Sequence, residues 1–118
     1  MTRQKVKQKV YNDGVLYVCS LPEKMSSFSA VKNAITKNEL HKEVRLPYCE
    51  VYKRDSDMAF AESQGRQLSI KVRTPAHYAA EATKYALIGS MLYSIIKLDV
   101  DKTNHELYFY LEEVRKLT

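Results

Sequence analysis

The chain contains no tryptophan, three glycines, three prolines and two cysteines among 118 residues. So little glycine and proline, with no low-complexity tract, excludes collagen-like and linker-type chains. Cys19 and Cys49 lie far apart, each in a strand-like run. They are expected to be buried thiols in a reducing compartment, and no further ligands at metal-site spacing accompany them. No apolar stretch approaches the roughly 20 residues that cross a bilayer. The N-terminal MTRQKVKQKV is basic and has no apolar run of the kind a secretory signal carries, so an intracellular protein without membrane contact is expected.

Catalytic patterns are also missing. His41, His77 and His105 stand alone, without the spacing of a metal-binding pair. The stretch DVDKTNHELYFY has the opening acids of a calcium loop in Asp99 and Asp101. Its sixth position, however, is Asn104 where glycine is needed, and its twelfth is Tyr110 where a bidentate glutamate is needed, so a hairpin turn explains it better. There is no glycine-rich phosphate loop and no nucleophile beside a base. Glu112 and Glu113 fall on a strand and read as a solvated face. No enzyme, cofactor or metal is expected.

What is present is a globular composition, 45% hydrophobic and 28% charged, with a net charge of +5. The length fits one domain with one modest core, and no internal repeat is visible. Arg3, Lys5, Lys7 and Lys9 concentrate positive charge in a basic arm over residues 1–12, a solvated segment or a contact for nucleic acid or an acidic protein surface.

Strand signals recur. Asn12-Asp13-Gly14 is a turn that launches Val15–Cys19. Tyr48–Lys53 is a second strand with Pro47 at its start. Leu68–Thr74 alternates, with Leu68, Ile70 and Val72 on one face and Ser69, Lys71 and Arg73 on the other. Tyr85–Ile88, the Gly89-Ser90 turn and Met91–Leu98 form a tight hairpin. A second turn over Asp99–Asn104 leads to Glu106–Val114. Leu92, Ile96 and Leu98 are expected on one face, as are Leu107, Phe109 and Leu111. Residues 24–46 are ambiguous. Ser26 or Ser27 offers a cap, and Phe28, Val31, Ile35 and Leu40 have roughly helical spacing, yet AVKNAIT and EVRL also suit extended chain. Residues 75–83 read as a short helix or a loop. A mainly β fold follows: a small antiparallel β-barrel or sandwich, closed to remove its edges, with one or two short helices.

Between two central strands lies DMAFAESQGRQ. It opens like a helix, with Ser56 as a candidate cap and Met58, Phe60 and Ala61 apolar, and stops at Gly65. It is longer than a turn requires. Its plain interpretation is a helix-turn capping one end of the barrel.

Three blocks together, NDGVLYVCSL, EVYKRDSDMAFAESQGRQLSIKVRTP and KYALIGSMLYSIIKLDVDKTNHELYFYLEEV, resemble in content and order the head-closure (stopper, or head-completion) proteins of long-tailed bacteriophages and prophages. The resemblance covers nearly the whole chain, is strongest over Val51–Val114, and is weakest in the family-variable region 24–46. It implies a small β-barrel with an extended loop between two central strands, here residues 55–68. It also implies self-association as a ring of about twelve copies beneath the portal and adaptor proteins, which closes the DNA-filled head and docks the tail. The loop would touch packaged DNA transiently and gate its channel. Asp55, Asp57, Met58, Phe60, Glu62, Gln64, Gly65 and Arg66 are the channel-loop candidates. The acids would repel phosphate, the apolar residues would seal subunits, and Gly65 would act as hinge. Lys53, Arg54 and Arg66 would pair with acids on neighbouring subunits. Lys5, Lys7 and Lys9, with Lys71, Arg73 and Lys97 on an exposed face, are candidate contacts for adaptor or tail proteins. The expected location is the head–tail interface of the virion, after assembly in the bacterial cytoplasm. Two alternatives stand beside this one: another connector or tail-terminator component, and a small basic nucleic-acid-binding barrel using Tyr52, Tyr93, Tyr108 and Tyr110 for stacking.

Overall fold

The computed structural model describes residues 10–21 and 40–117. The sequence expectations for Lys5, Lys7 and Lys9, and for the helical spacing from Ser26 to Ile35, lie outside the described residues. Six strands appear in chain order: β1 (Gly14–Ser20), β2 (His41–Val51), β3 (Ile70–Pro75), β4 (Tyr85–Ile88), β5 (Met91–Asp101) and β6 (Glu106–Lys116). One helix, α1 (Asp55–Ser63), connects β2 to β3. All strand pairs are antiparallel, and the order β1-β2-β3-β6-β5-β4 closes with β4 on β1. The described residues thus form one closed barrel.

Side-chain alternation explains the closure. Leu16 and Val18 of β1, Leu46 and Tyr48 of β2, Val72 of β3, Ala86 of β4, Tyr93 and Ile95 of β5, and Leu107, Phe109 and Leu111 of β6 fill one interior cluster. Phe109 is the largest fully buried side chain among them. The outward residues fall into two further clusters. Cys19, Leu87 and Leu92 pack with Leu40 and Leu117 on one side of the wall. Ala61 of α1 packs with Leu68 and Tyr110 on the other. This wall is therefore apolar on both sides in patches, which is why nearly half the sequence is hydrophobic in so small a barrel.

Several expected boundaries move. The second strand runs from His41 rather than from Tyr48, so the extended alternative is correct for residues 41–46, and it ends at Val51 rather than Lys53. Pro47 sits inside it, where β2 passes from β1 to β3. It pairs with Val15 on the β1 side, and β3 pairing begins only at Cys49. β5 and β6 run longer than expected, to Asp101 and Lys116. Leu92, Ile96 and Leu98 do not share a face. Register shifts after Leu92 and between Ile95 and Lys97 split them among three clusters. Such bulges insert a residue and turn the next side chain over. Likewise Leu68 does not join Ile70 and Val72, because it lies before the strand and turns onto α1. Residues 76–84 are turns, with no helix.

Candidate functional site

The segment between β2 and β3 is a folded helix with a polar anchor, where an extended loop was expected. Arg54, not Ser56, is its N-cap residue. The Asp57 carboxylate accepts from the Arg54 backbone N–H at 3.0 Å, and the Arg54 carbonyl accepts from the Asp57 N–H at 3.0 Å. Asp55 and Asp57 in the first turn suit the positive end of the helix dipole, and Ala59 and Ala61 are strong helix formers. At the other end the Gly65 N–H donates to the Glu62 carbonyl and the Arg66 N–H to the Ala61 carbonyl. Gly65 has φ +68°, the left-handed turn that terminates such helices. Gly65 thus has a structural assignment as the C-terminal stop of α1.

Only two residues of α1 are buried, Asp57 and Ala61. The helix is thus held mainly through polar contacts. Asp57 is 3% exposed and accepts from the Lys71 Nζ at 2.9 Å and from the Arg54 guanidinium at 3.1 and 3.3 Å. Burial opposes ionisation of Asp57, but the bonds from Arg54 and Lys71 outweigh it and hold the carboxyl well below the usual carboxylate range. Lys71 also lies over the rings of Tyr110 and Tyr108, at 4.8 and 5.6 Å from their centroids. Lys97 lies 4.5 Å from the ring centroids of both Phe60 and Tyr110, bridging helix and wall. The Tyr110 hydroxyl donates to Asp99 at 2.9 Å. Burial, and then that bond, push its phenol well above the ordinary tyrosine value. Beyond the helix, the Arg66 Nε donates to Glu112 at 2.9 Å, and its other nitrogens reach the Ser94 hydroxyl and the Ile95 carbonyl. The Gln67 N–H donates to the other Glu112 oxygen at 2.9 Å. Both ends of the segment are therefore tied to the outer wall of β3, β5 and β6.

This geometry divides the eight channel-loop candidates. Asp57 and Arg66 turn onto the barrel. Asp55, Met58, Phe60, Glu62 and Gln64 lie on the exposed side, with Met58 and Phe60 at 36% and 38% exposure. Lys53, Arg54 and Arg66 find their partners within the same chain, Ser69, Asp57 and Glu112, rather than on a neighbour. Lys71 is corrected from an exposed contact residue to a buried one, because α1 lies over it and Asp57 neutralises it. Arg73 is half-buried against Glu106 at 3.1 Å, and Lys97 is 3.5 Å from Asp99.

A second polar knot was not legible in the sequence. Glu106, fully buried, accepts from the Tyr11 hydroxyl, and the Arg73 guanidinium lies over the Tyr11 ring at 5.7 Å. Burial and the Glu106 bond push the Tyr11 phenol up to about 12. Strand alternation places Glu106 and Arg73 on the outer face, but only the tertiary structure brings Tyr11 across them.

Between the first turn of α1 and the β5–β6 turn lies an open groove of about 720 Å³, lined by Arg54, Lys71, Asp99, Lys102, Tyr108 and Tyr110 among others. Its charges are of both signs, and Lys71 and Asp99 each have a partner. Among the described residues no group of three metal-ligating side chains occurs, and no helix is long and apolar enough to cross a membrane. Of the four tyrosines considered for base stacking, Tyr93 is in the barrel interior, Tyr110 is beneath α1, Tyr108 is half-buried, and only Tyr52, at 80%, is well exposed. These four do not make one surface.

Comparison of the chain with protein-family models and with curated proteins finds no match to either.

Proposed function

We propose that the chain is a head-closure component of a long-tailed bacteriophage or prophage, a structural subunit that joins a DNA-filled head to its tail and gates the DNA channel. The observation that carries this reading is the helical segment placed between the two strands where the family resemblance calls for an inserted gate. It is anchored to a closed six-stranded barrel by a few polar contacts and directs Asp55, Met58, Phe60 and Glu62 outward.

A gate needs a segment that is stable in one position yet held by few contacts, so that a partner's contacts can outcompete them. Removing α1 from the wall exposes Ala61 and the ion-paired Asp57 and uncovers Leu68, Lys71 and Tyr110, while the interior cluster of the barrel stays closed. Exposed acids facing a channel repel DNA phosphate and keep packaged DNA from adhering. Met58 and Phe60 supply apolar area for contact between adjacent copies in a ring of about twelve. On this reading the portal or adaptor ring and the tail are the partners, Arg73 and Lys97 are contact candidates beside them, and the virion is the destination.

The test is genetic. The chain's gene is deleted in the strain that produces the particle, and the lysate is examined by electron microscopy. Tailless heads that have lost DNA, alongside free tails, are expected. A normal yield of joined particles contradicts the proposal.

A further inference from the structure

α1 carries two large apolar side chains that the barrel leaves partly open, Met58 at 36% and Phe60 at 38% exposure. Asp57 and Ala61, its buried residues, fix the direction of the wall. At about 100° per residue, Met58 and Phe60 then lie on opposite flanks, each about 80° from that direction. Their surroundings agree. Lys97 of β5 lies 4.5 Å from the centroid of the Phe60 ring. Met58 instead borders a groove beside the return of the chain into β3. The groove holds about 420 Å³ and is lined by Lys53, Met58, Glu62, Arg66, Gln67 and Leu68.

The two flanks suit each other in size and charge. Met58 and Leu68 give the groove an apolar lining, and its volume exceeds the roughly 150 Å³ of an apolar cavity that takes up benzene. Of its charged groups, Lys53 donates to the Ser69 carbonyl at 3.1 Å and Arg66 pairs with Glu112 at 2.9 Å. Glu62 is left exposed, with no partner among the described residues. The Phe60 flank brings the opposite sign in Lys97, whose contact with Asp99 is long, at 3.5 Å. The chain therefore carries both halves of one contact but cannot join them within itself, because the groove is on the far side of the same helix. A two-fold axis cannot join them either. A single partner would have to meet both flanks, which point about 160° apart.

We infer that Phe60 of one copy seats in the Met58–Leu68 groove of the next, bringing Lys97 towards Glu62, so that α1 is the head-to-tail joint between subunits. One aromatic anchor in a groove with polar groups around it is how binding energy concentrates at an interface. The step is heterologous, each copy donating a ring and accepting one, so it closes into a ring of subunits or runs on as a filament according to its rotation. The inference rests on the head-closure reading for the subunit ring and names the contact from which that ring is made.

Two half-broken variants of the full chain test it by nuclear magnetic resonance, which detects contacts as weak as millimolar. Phe60→Asp keeps the groove and loses the ring; Met58→Asp keeps the ring and loses the groove. Both changes are at exposed positions, and the amide spectrum of each checks the barrel. Isotope-labelled Phe60→Asp is titrated with unlabelled Met58→Asp to about 1 mM. Saturable shifts at Lys53, Glu62, Gln67 and Leu68 are expected, with a complex that stops at two copies. No shifts are expected when the titrant is the double variant Met58→Asp/Phe60→Asp. Adding Glu62→Lys to the labelled chain is expected to weaken the complex about threefold. The inference is overturned by an absence of shifts up to that concentration, by equal shifts from the double variant, or by an affinity that ignores Glu62→Lys. Normal particles after gene deletion would sink the head-closure reading and leave these titrations untouched; silent titrations beside tailless heads would remove this joint and keep that reading.

Discussion

Replacing Lys71 with methionine keeps the aliphatic stem that packs beneath α1 and removes the ammonium group. Asp57 then remains 3% exposed with only Arg54, itself 63% exposed, as its cationic partner. Removing one member of a buried pair typically costs about 3–5 kcal/mol, because the other charge is left in low dielectric. The surviving Arg54 bonds place Lys71→Met near the lower end, about 3 kcal/mol. In urea, with an m-value on the order of 1.5 kcal/mol/M, that is a midpoint lower by about 2 M. Removing both charges tests the reasoning more sharply. Asp57→Leu with Lys71→Met forfeits the cap, about 1 kcal/mol, but buries no lone ion, and is expected within about 1.5 kcal/mol of wild type. The pH dependence follows the same logic. The folded-state pKa of Asp57 lies below its unfolded value near 3.9. Its stabilisation is therefore complete above roughly pH 4 and drains away as pH falls from there toward the folded pKa. Lys71→Met should flatten that acid limb. A Lys71→Met variant within about 0.5 kcal/mol of wild type, or a double variant as damaged as the two single changes combined, would refute the claim that α1 is anchored by a buried ion pair.

Other expectations share this basis. Tyr11→Phe removes a phenol whose folded pKa of about 12 lies above the unfolded value near 10. Its linked stability is present below pH 10 and lost as pH rises toward 12, so the wild-type loss over that window should shrink in the variant when followed by fluorescence-detected urea melts. Gly65→Ala meets no atom within 4 Å but must adopt φ +68°, so a cost of about 1 kcal/mol is expected, with faster amide exchange confined to the end of α1. Phe109→Ala empties the centre of the interior cluster and should cost about 3–5 kcal/mol by the same melts. Cys19, with its thiol pushed up to about 11 by burial, should react with a thiol reagent more slowly than half-buried Cys49.

The barrel was largely legible because its strands announce themselves by alternation. Leu107, Phe109 and Leu111 lie inside as their spacing predicts, and the Gly89-Ser90 hairpin falls where the turn chemistry places it. Two kinds of feature were hidden. Bulges in β5 reassign Leu92 and Ile96 to the outer wall, and nothing local in LYSIIKL marks them. Long-range polar pairing was hidden too. Lys71 alternates outward as expected, but an outward side chain is exposed only if nothing covers it, and the cover comes from a helix whose docking depends on Lys71 itself. The helical character of residues 55–63 was visible in its alanines and acids; its cap was not, because the N-cap Arg54 takes part through an acid three residues on. Tyr11 and Glu106, 95 positions apart, share no sequence signal.

The central claim is a place in a particle. Immunogold labelling of purified virions with an antibody against residues 52–69 or against an epitope-tagged chain tests it most directly. Gold at the head–tail vertex, with the chain detected in stoichiometric amount by mass spectrometry of the same particles, is the predicted result. Absence of the chain from particles that are complete and infectious would contradict it.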